Sequence, residues 1–335
     1  MNPSTQVVIV SPALAQANNG NWQTALRWRR LLSPHHRVRI AATWPDAAAR
    51  SAHGRWNDDV MLALHARRMA EPVAQWAALR GSDGLGVVLT GTDLYRDIHT
   101  DASAQRSLDL AQHLVVLQEL GLDELKPAWR QKASVVLQST TTRQTLPKTH
   151  RHLTAVMVGH LRAEKSPQTF MQAAQMLGPD EGIRLLHLGR GLEPDLTALA
   201  QQTASASSHY RWLGEKSHAD ARRAIQTAHL LVHASCMEGG AHVVMEAVCS
   251  GTPVLASHIP GNLGLLGADY AGTFPVGDAP ALVAALRRLR AEQCAGTAPW
   301  LDALAAQCQA RRPLFTPEAE QQALLSVVSK LATLN

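Results

Sequence analysis

The 335-residue sequence predicts an α/β protein built from two doubly wound parallel-sheet domains. Three observations carry this prediction. Apolar runs of strand length alternate with amphipathic helical segments, the pattern of parallel strands joined by covering helices. The alternation is interrupted by the polar, Thr-rich stretch 138–152, which holds Pro147, and then begins again. The length suits two cores better than one, and a chain that is 46% hydrophobic and 18% charged can bury both.

In the first half, strands are expected at 7–10, 38–42, 60–64, 87–89, 114–117 and 135–137. Helices are expected at 22–32, where Trp22, Ala25, Leu26 and Leu32 recur at helical spacing, and at 69–79. The second half alternates strands at 155–158, 183–188, 209–213, 230–234 and 254–256 with helices at 169–176, 195–201, 219–227, 241–249 and 279–289. Beyond the break at Arg311-Arg312-Pro313, residues 318–331 form a last amphipathic helix. The expected division is 1–150, 151–312 and a terminal segment 313–335.

The formal net charge is +5. Its basic residues are scattered, the tightest groups being Arg27-Trp28-Arg29-Arg30 and Arg287-Arg288. This fits an enzyme of small anionic substrates better than a nucleic-acid partner. Cys236, Cys249, Cys294 and Cys308 make no CxxC pair, no Cys/His spacing fits zinc, and no metal is expected. The cysteines read as reduced thiols. With no leader pattern and no stretch near the ~18 apolar residues of a membrane span, a cytoplasmic protein that avoids the membrane is expected.

Ligands of open parallel sheets bind beyond the carboxyl ends of the strands, so the loops there carry the chemistry. The richest follows the strand at 230–234 and reads Ser235-Cys236-Met237-Glu238-Gly239-Gly240 before the helix at 241–249. Gly239 and Gly240 bare the main chain where a helix starts, a seat for a pyrophosphate. Glu238 is placed to accept from sugar hydroxyls, and Glu246, about two turns into the helix, from a ribose. His242 and Glu246 share a helix face four residues apart, either beside the donor or as a simple surface pair.

Glu238 and Glu246, with seven residues between them and the glycine pair after the first, resemble the E-x7-E signature of family 4 glycosyltransferases of the GT-B fold. The resemblance runs over nearly all of 153–290. Val158-Gly159-His160-Leu161-Arg162-Ala163-Glu164-Lys165 resembles the family's GR…EK segment, whose Arg and Lys hold the donor phosphates. Lys165 matches; His160 stands where Arg is usual, with Arg162 as a substitute. Leu188-Gly189-Arg190-Gly191 resembles the next glycine turn, and Trp212-Leu213-Gly214 the segment whose backbone faces the nucleobase. The resemblance therefore implies a GT-B architecture of two Rossmann-like domains facing a central cleft, with the last helix returning to the first domain. It assigns Lys165, Arg162, His160 and Glu238 to catalysis. To the donor it assigns Gly20, Gly159, Gly189, Leu213, Glu238, Gly239, Gly240, Ala241 and Glu246. A UDP-sugar is a co-substrate, and no cofactor or metal is implied.

In the first half, Asn18-Asn19-Gly20-Asn21-Trp22-Gln23-Thr24 follows the first strand and is polar enough for a small anionic acceptor, though an Asn helix cap reads equally. Leu89-Thr90-Gly91-Thr92-Asp93-Leu94-Tyr95-Arg96-Asp97 resembles the family's H-G-[TS]-D loop, with Asp93 either at the cleft or capping the turn. Together with Arg-Arg-Pro-Leu-Phe-Thr-Pro-Glu at 311–318, these stretches are similar to the selenosugar synthases of selenoneine biosynthesis. That resemblance implies transfer from a UDP-sugar, UDP-N-acetylglucosamine foremost, to selenophosphate. The acceptor candidates are Asn18, Asn19, Asn21, Arg27, Asp93 and Arg96. The alternatives are a family 4 enzyme with an oxygen acceptor, for which the basic helix at 22–32 would mark a lipid, and a binding module without catalysis.

Overall fold

Two series of Val-, Leu- and Ile-rich segments each assemble a six-stranded, all-parallel sheet in the computed structural model, which describes residues 5–14 and 20–332. The chain divides into two units, 1–138 with 317–335, and 139–316. In the first unit β1 (Gln6–Val10), β2 (Arg37–Ala41), β3 (Val60–Leu64), β4 (Leu85–Leu89), β5 (His113–Val116) and β6 (Ala133–Val135) lie in the order β2-β1-β3-β4-β5-β6. Val8 is registered with Arg39 on one side and Met61 on the other. Every residue of β3 and β4 is buried, which is why these strands read as unbroken apolar runs.

In the second unit the strands are β7 (Leu153–Val158), β8 (Ile183–Leu188), β9 (Tyr210–Trp212), β10 (Leu230–His233), β11 (Val254–Ser257) and β12 (Thr273–Phe274). Their order, β12-β11-β10-β7-β8-β9, is that of the doubly wound dinucleotide-binding sheet. The winding direction reverses between β7 and β10 here, and between β1 and β3 in the first unit. Each reversal splays two loops apart at the carboxyl end of the sheet and opens a crevice there.

The unit boundaries differ from the sequence-based division at 150/151 and 312/313. Residues 139–152 are not a free linker but a strap on the second unit. The Thr140 amide donates to Phe315 O at 3.1 Å and the Arg143 amide to Cys249 O at 2.8 Å. Arg222 holds the same strap through Thr140 Oγ1 at 2.5 Å and Thr141 O at 2.7 Å. At the other end, the helix Pro317–Ala332 belongs to the first unit. It lays Val327, Val328 and Leu331 into the same core as Ala25, Trp28 and Leu32 of the helix Gly20–Leu32. Buried Glu320 accepts from Trp28 Nε1 at 2.8 Å and pairs with Arg27 at 3.1 Å.

The longer helices not expected from the sequence are Ala102–Leu110, Pro260–Leu266 and Pro299–Arg311. The first starts on Asp101, whose carboxylate accepts from the amides of Ser103 and Ala104. Among the described residues no helix is long and apolar enough to cross a membrane.

Candidate functional site

The reversal in the second sheet brings together the loops that follow β7 and β10. The β7 loop runs from Gly159 through the short turn Ala163–Lys165 to Ser166, whose left-handed φ of 45° swings the chain into the helix Pro167–Met176. The Cys236 amide of the β10 loop donates to Glu164 O at 3.0 Å, so the two loops are joined through main chain. Lys165 Nζ then reaches Glu238 Oε1 at 2.5 Å, with the two side chains 17% and 11% exposed. His233, the last residue of β10, is buried with Nε2 at 3.3 Å from the same oxygen, outside hydrogen-bond geometry. Burial works to raise the Glu238 carboxyl, but the Lys165 charge, with His233 behind it, outweighs burial and holds it well below the usual range.

Glu238 is also pinned from behind. A side chain at Gly261 would place its Cβ 2.1 Å from Glu238 O, so the start of the helix Pro260–Leu266 packs directly on the Glu238 backbone. Beyond Glu238, the amides of Gly239, Gly240 and Ala241 donate to nothing among the described residues. The helix that follows is His242–Val248, shorter than the expected 241–249, and Glu246 lies one turn inside it, not two.

Glu246 Oε1 receives His218 Nε2 at 2.5 Å and His242 Nδ1 at 3.1 Å, while His242 Nε2 faces Ser139 O at 3.1 Å. Burial raises the Glu246 carboxyl, but the two histidine hydrogen bonds bring it down to about 2. No metal-ligand cluster was expected from the sequence, yet His218, His242 and Glu246 place their ligand atoms within 4.8 Å of one another.

The rim around the pair is a glycine seam. A Cβ at Gly189 would sit 1.8 Å from Gly159 O, and the Gly189 amide donates to Gly214 O at 2.8 Å. The carboxyl ends of β7, β8 and β9 are thereby stitched edge to edge, and the Leu213 amide joins them by donating to His187 O. His160 Nδ1 accepts from the Arg190 amide at 3.1 Å, leaving its hydrogen on Nε2. Burial and the neighbouring Arg162 charge lower the His160 ring below its ordinary value, so at neutral pH it is an uncharged donor and not a substitute for arginine. Arg162 is exposed and makes no side-chain hydrogen bond or ion pair among the described residues.

The first unit uses its carboxylates differently. Asp93 is fully buried and accepts from three main-chain amides, Ala66 at 2.9 Å, Thr90 at 2.9 Å and Gly91 at 2.8 Å. It knots the loops after β3 and β4 together; its three partners all precede it, so it does not cap the turn Asp93–Asp97 that follows. His65, directly after β3, has a φ of 89° that is rare for a residue with a side chain. Its Nδ1 accepts from the Arg68 amide and its Nε2 lies 3.1 Å from Thr92 Oγ1. Asp97 binds Arg67 at 2.8 Å and Arg96 at 3.1 Å. Arg96 is still 52% exposed on its side chain, whereas Arg27, at 17%, is committed to Glu320. Gly20 opens its helix with nothing among the described residues within 4 Å of a would-be Cβ, and Asn21 is half-buried. Asn18 and Asn19 lie outside the described residues.

Sequence reasoning passed over His65, His218 and His233. For two of them a signal existed: a histidine at the carboxyl end of a strand flanking the reversal. His218 had none, since only the fold brings it to Glu246.

Two parallel six-stranded sheets with these strand orders, and with charged loops gathered at the reversal of the second, define the GT-B class. Residues 138–297, most of the second unit, match the family model for glycosyl transferases group 1. The whole fold is similar to sucrose-phosphate synthase from Thermosynechococcus elongatus, with a TM-score of 0.74 and 15% identity over 99% of this chain and 100% of that one. It is similar also to Anabaena Alr3699/HepE in complex with UDP and glucose, with a TM-score of 0.71 and 15% identity over 97% and 99% of the two chains. TarM of S. aureus matches over 80% of this chain and 54% of its own, at a TM-score of 0.61 and 13% identity.

Proposed function

We propose that the chain transfers a sugar from a UDP-sugar, UDP-N-acetylglucosamine foremost, to selenophosphate. The observation that carries the donor half is the Lys165–Glu238 contact at the sheet reversal, beside the amides of Gly239 and Gly240, which meet no acceptor among the described residues. A lysine, an exposed arginine and free N–H groups around one spot suit a diphosphate. They also stabilise the charge that grows on it as it leaves. Arg162 and Lys165 supply the positive charge, and neutral His160 donates one hydrogen bond. Glu238 reads a sugar hydroxyl, and Glu246 the ribose.

The acceptor half rests on the resemblance of the stretches 18–24, 89–97 and 311–318. Selenium of selenophosphate attacks the anomeric carbon, the bond from that carbon to the UDP oxygen breaks, and UDP departs. Water then cleaves the Se–P bond, giving phosphate and a 1-selenosugar. The nucleophile is already anionic, so no general base is needed. With Asp93 and Arg27 committed elsewhere, Asn21 and Arg96 remain as the described candidates for the acceptor's oxygens.

The test is direct. The protein is incubated with UDP-sugars, with and without selenophosphate, and UDP and selenium-bearing sugars are followed by mass spectrometry. Selenophosphate-dependent UDP release with a selenosugar product is expected. UDP release that needs a sugar or lipid acceptor and ignores selenophosphate would leave a glycosyltransferase but discard the selenium chemistry.

A further inference from the structure

We propose that His218, His242 and Glu246 form a binding site for a zinc-class divalent metal, and that metal held there shuts out the nucleotide-sugar. The second clause rests on the assignment of Glu246 to the ribose; the first does not.

The argument begins with hydrogens. Both ring nitrogens of His242 face acceptors, Nδ1 the Glu246 carboxylate at 3.1 Å and Nε2 the Ser139 carbonyl at 3.1 Å. A neutral imidazole has one N–H and can serve one of them. Carbonyl and carboxylate oxygens both only accept, so whichever nitrogen carries the hydrogen, the other points its lone pair at an oxygen. Only a cation between the two relieves that arrangement, either a second proton or a metal ion. A metal-bound histidine typically donates its other N–H to a backbone carbonyl, which is the contact with Ser139.

The third ligand is equally near. His218 Nε2 lies 2.5 Å from the same Glu246 oxygen, and the three donor atoms fall within 4.8 Å of one another. Zinc–ligand bonds of about 2.0–2.2 Å put tetrahedral donors about 3.3–3.6 Å apart. The His218 side chain, 73% exposed, is free to open by that amount and marks the way in. Two imidazoles and one carboxylate leave a fourth position for water.

The surroundings select the metal. Arg143 and Arg222 act on His218 with positive charge, which disfavours ions held by charge alone. Magnesium and calcium want oxygen ligands and are excluded; zinc draws its affinity from the two nitrogens. A metal on Glu246 ties up the carboxylate proposed to hold the ribose.

The test uses the full-length protein with exposed Cys236 and Cys294 replaced by serine, so that thiols do not contribute. Zinc is titrated in competition with a chromogenic chelator. One equivalent is expected, with binding at least tenfold weaker in His218→Ala and His242→Ala, and no magnesium binding. Saturating UDP raises the apparent zinc Kd at least tenfold. Since His218 is exposed, His218→Ala keeps its fold, checked by circular dichroism. Zinc binding unchanged in His218→Ala overturns the site. Zinc affinity indifferent to UDP overturns the exclusion. UDP affinity measured without zinc reports on the donor assignment separately, so failure of that assignment is not mistaken for failure of the metal site.

Discussion

At the carboxyl end of the second sheet, Lys165 and Glu238 meet across two loops, and the amides beside them meet no acceptor among the described residues. At the carboxyl end of the first sheet, Asp93 is used up by three amides and Asp97 by two arginines. Both ends carry acidic residues in glycine-bearing loops, and by composition they look alike. They differ in how many local donors surround each carboxylate. Where main-chain N–H groups already surround it, an acid holds the loop; where its partner is a single flexible cation, both can turn to a ligand.

The largest expected effect tests how rigidly the second rim is built. Gly189→Ala would drive a Cβ into Gly159 O at a residue whose φ is 157°. A loss of more than about 4 kcal/mol is expected, read as failure of the second unit to give a cooperative melting transition. A soluble variant with a parental Tm breaks the idea of a close-packed seam.

Lys165→Ala comes next. On the proposed role of Lys165 at the departing diphosphate, its removal should lower kcat/KM by about 100- to 1000-fold. It also strands Glu238, so a modest fall in Tm accompanies it. A near-parental kcat/KM would place the chemistry elsewhere. Asp93→Ala is the counterpart in the first unit. Three buried amides lose their acceptor, at about 1–3 kcal/mol for each one left unsatisfied, with partial relief by water. A net loss of about 3 kcal/mol by denaturant unfolding is expected, with UDP affinity unchanged. A variant that keeps its stability but loses selenophosphate turnover would return Asp93 to the acceptor.

The contrast also explains what the sequence discloses. Strands buried on both faces, such as β3, are legible because nothing but apolar residues tolerates that position. The loop from Glu238 to Gly240 is legible because its residues lie together in the chain. The helix Pro299–Arg311 is not, because only Leu304 and Cys308 are buried and so narrow a stripe has no clear period. The strap at 139–152 looks like a linker because its bonds go to Cys249, Phe315 and Arg222, remote in sequence. The Glu246 cluster is hidden for the same reason: His242 shows itself at i, i+4, and His218 does not.

Acid should affect the two units similarly. Burial pushes His113 of the first unit and His187 of the second down to about 4. Their folded values lie below the ordinary 6.5, so the unfolded chain binds the proton more tightly. The stability each contributes is complete above pH 6.5 and is lost as the pH falls through 6.5 towards 4. Between pH 7 and pH 5 each is expected to cost about 2 kcal/mol. A Tm that is flat over this range, or one that recovers fully in His187→Leu alone, would show that only one unit is acid-sensitive.

The smallest effect separates space from role. Among the described residues a Cβ at Gly20 meets nothing within 4 Å, and the residue opens a helix, so Gly20→Ala should be neutral or stabilising by less than about 1 kcal/mol. Stability therefore says nothing about whether a donor phosphate rests there, and kinetics does. If it does, the added methyl occupies the ligand's space and KM for the UDP-sugar rises several-fold while Tm holds. An unchanged KM would leave the first unit without a donor contact at this glycine and confine donor recognition to the second unit. It would also sharpen the contrast with Gly189, where a methyl is forbidden by the protein itself.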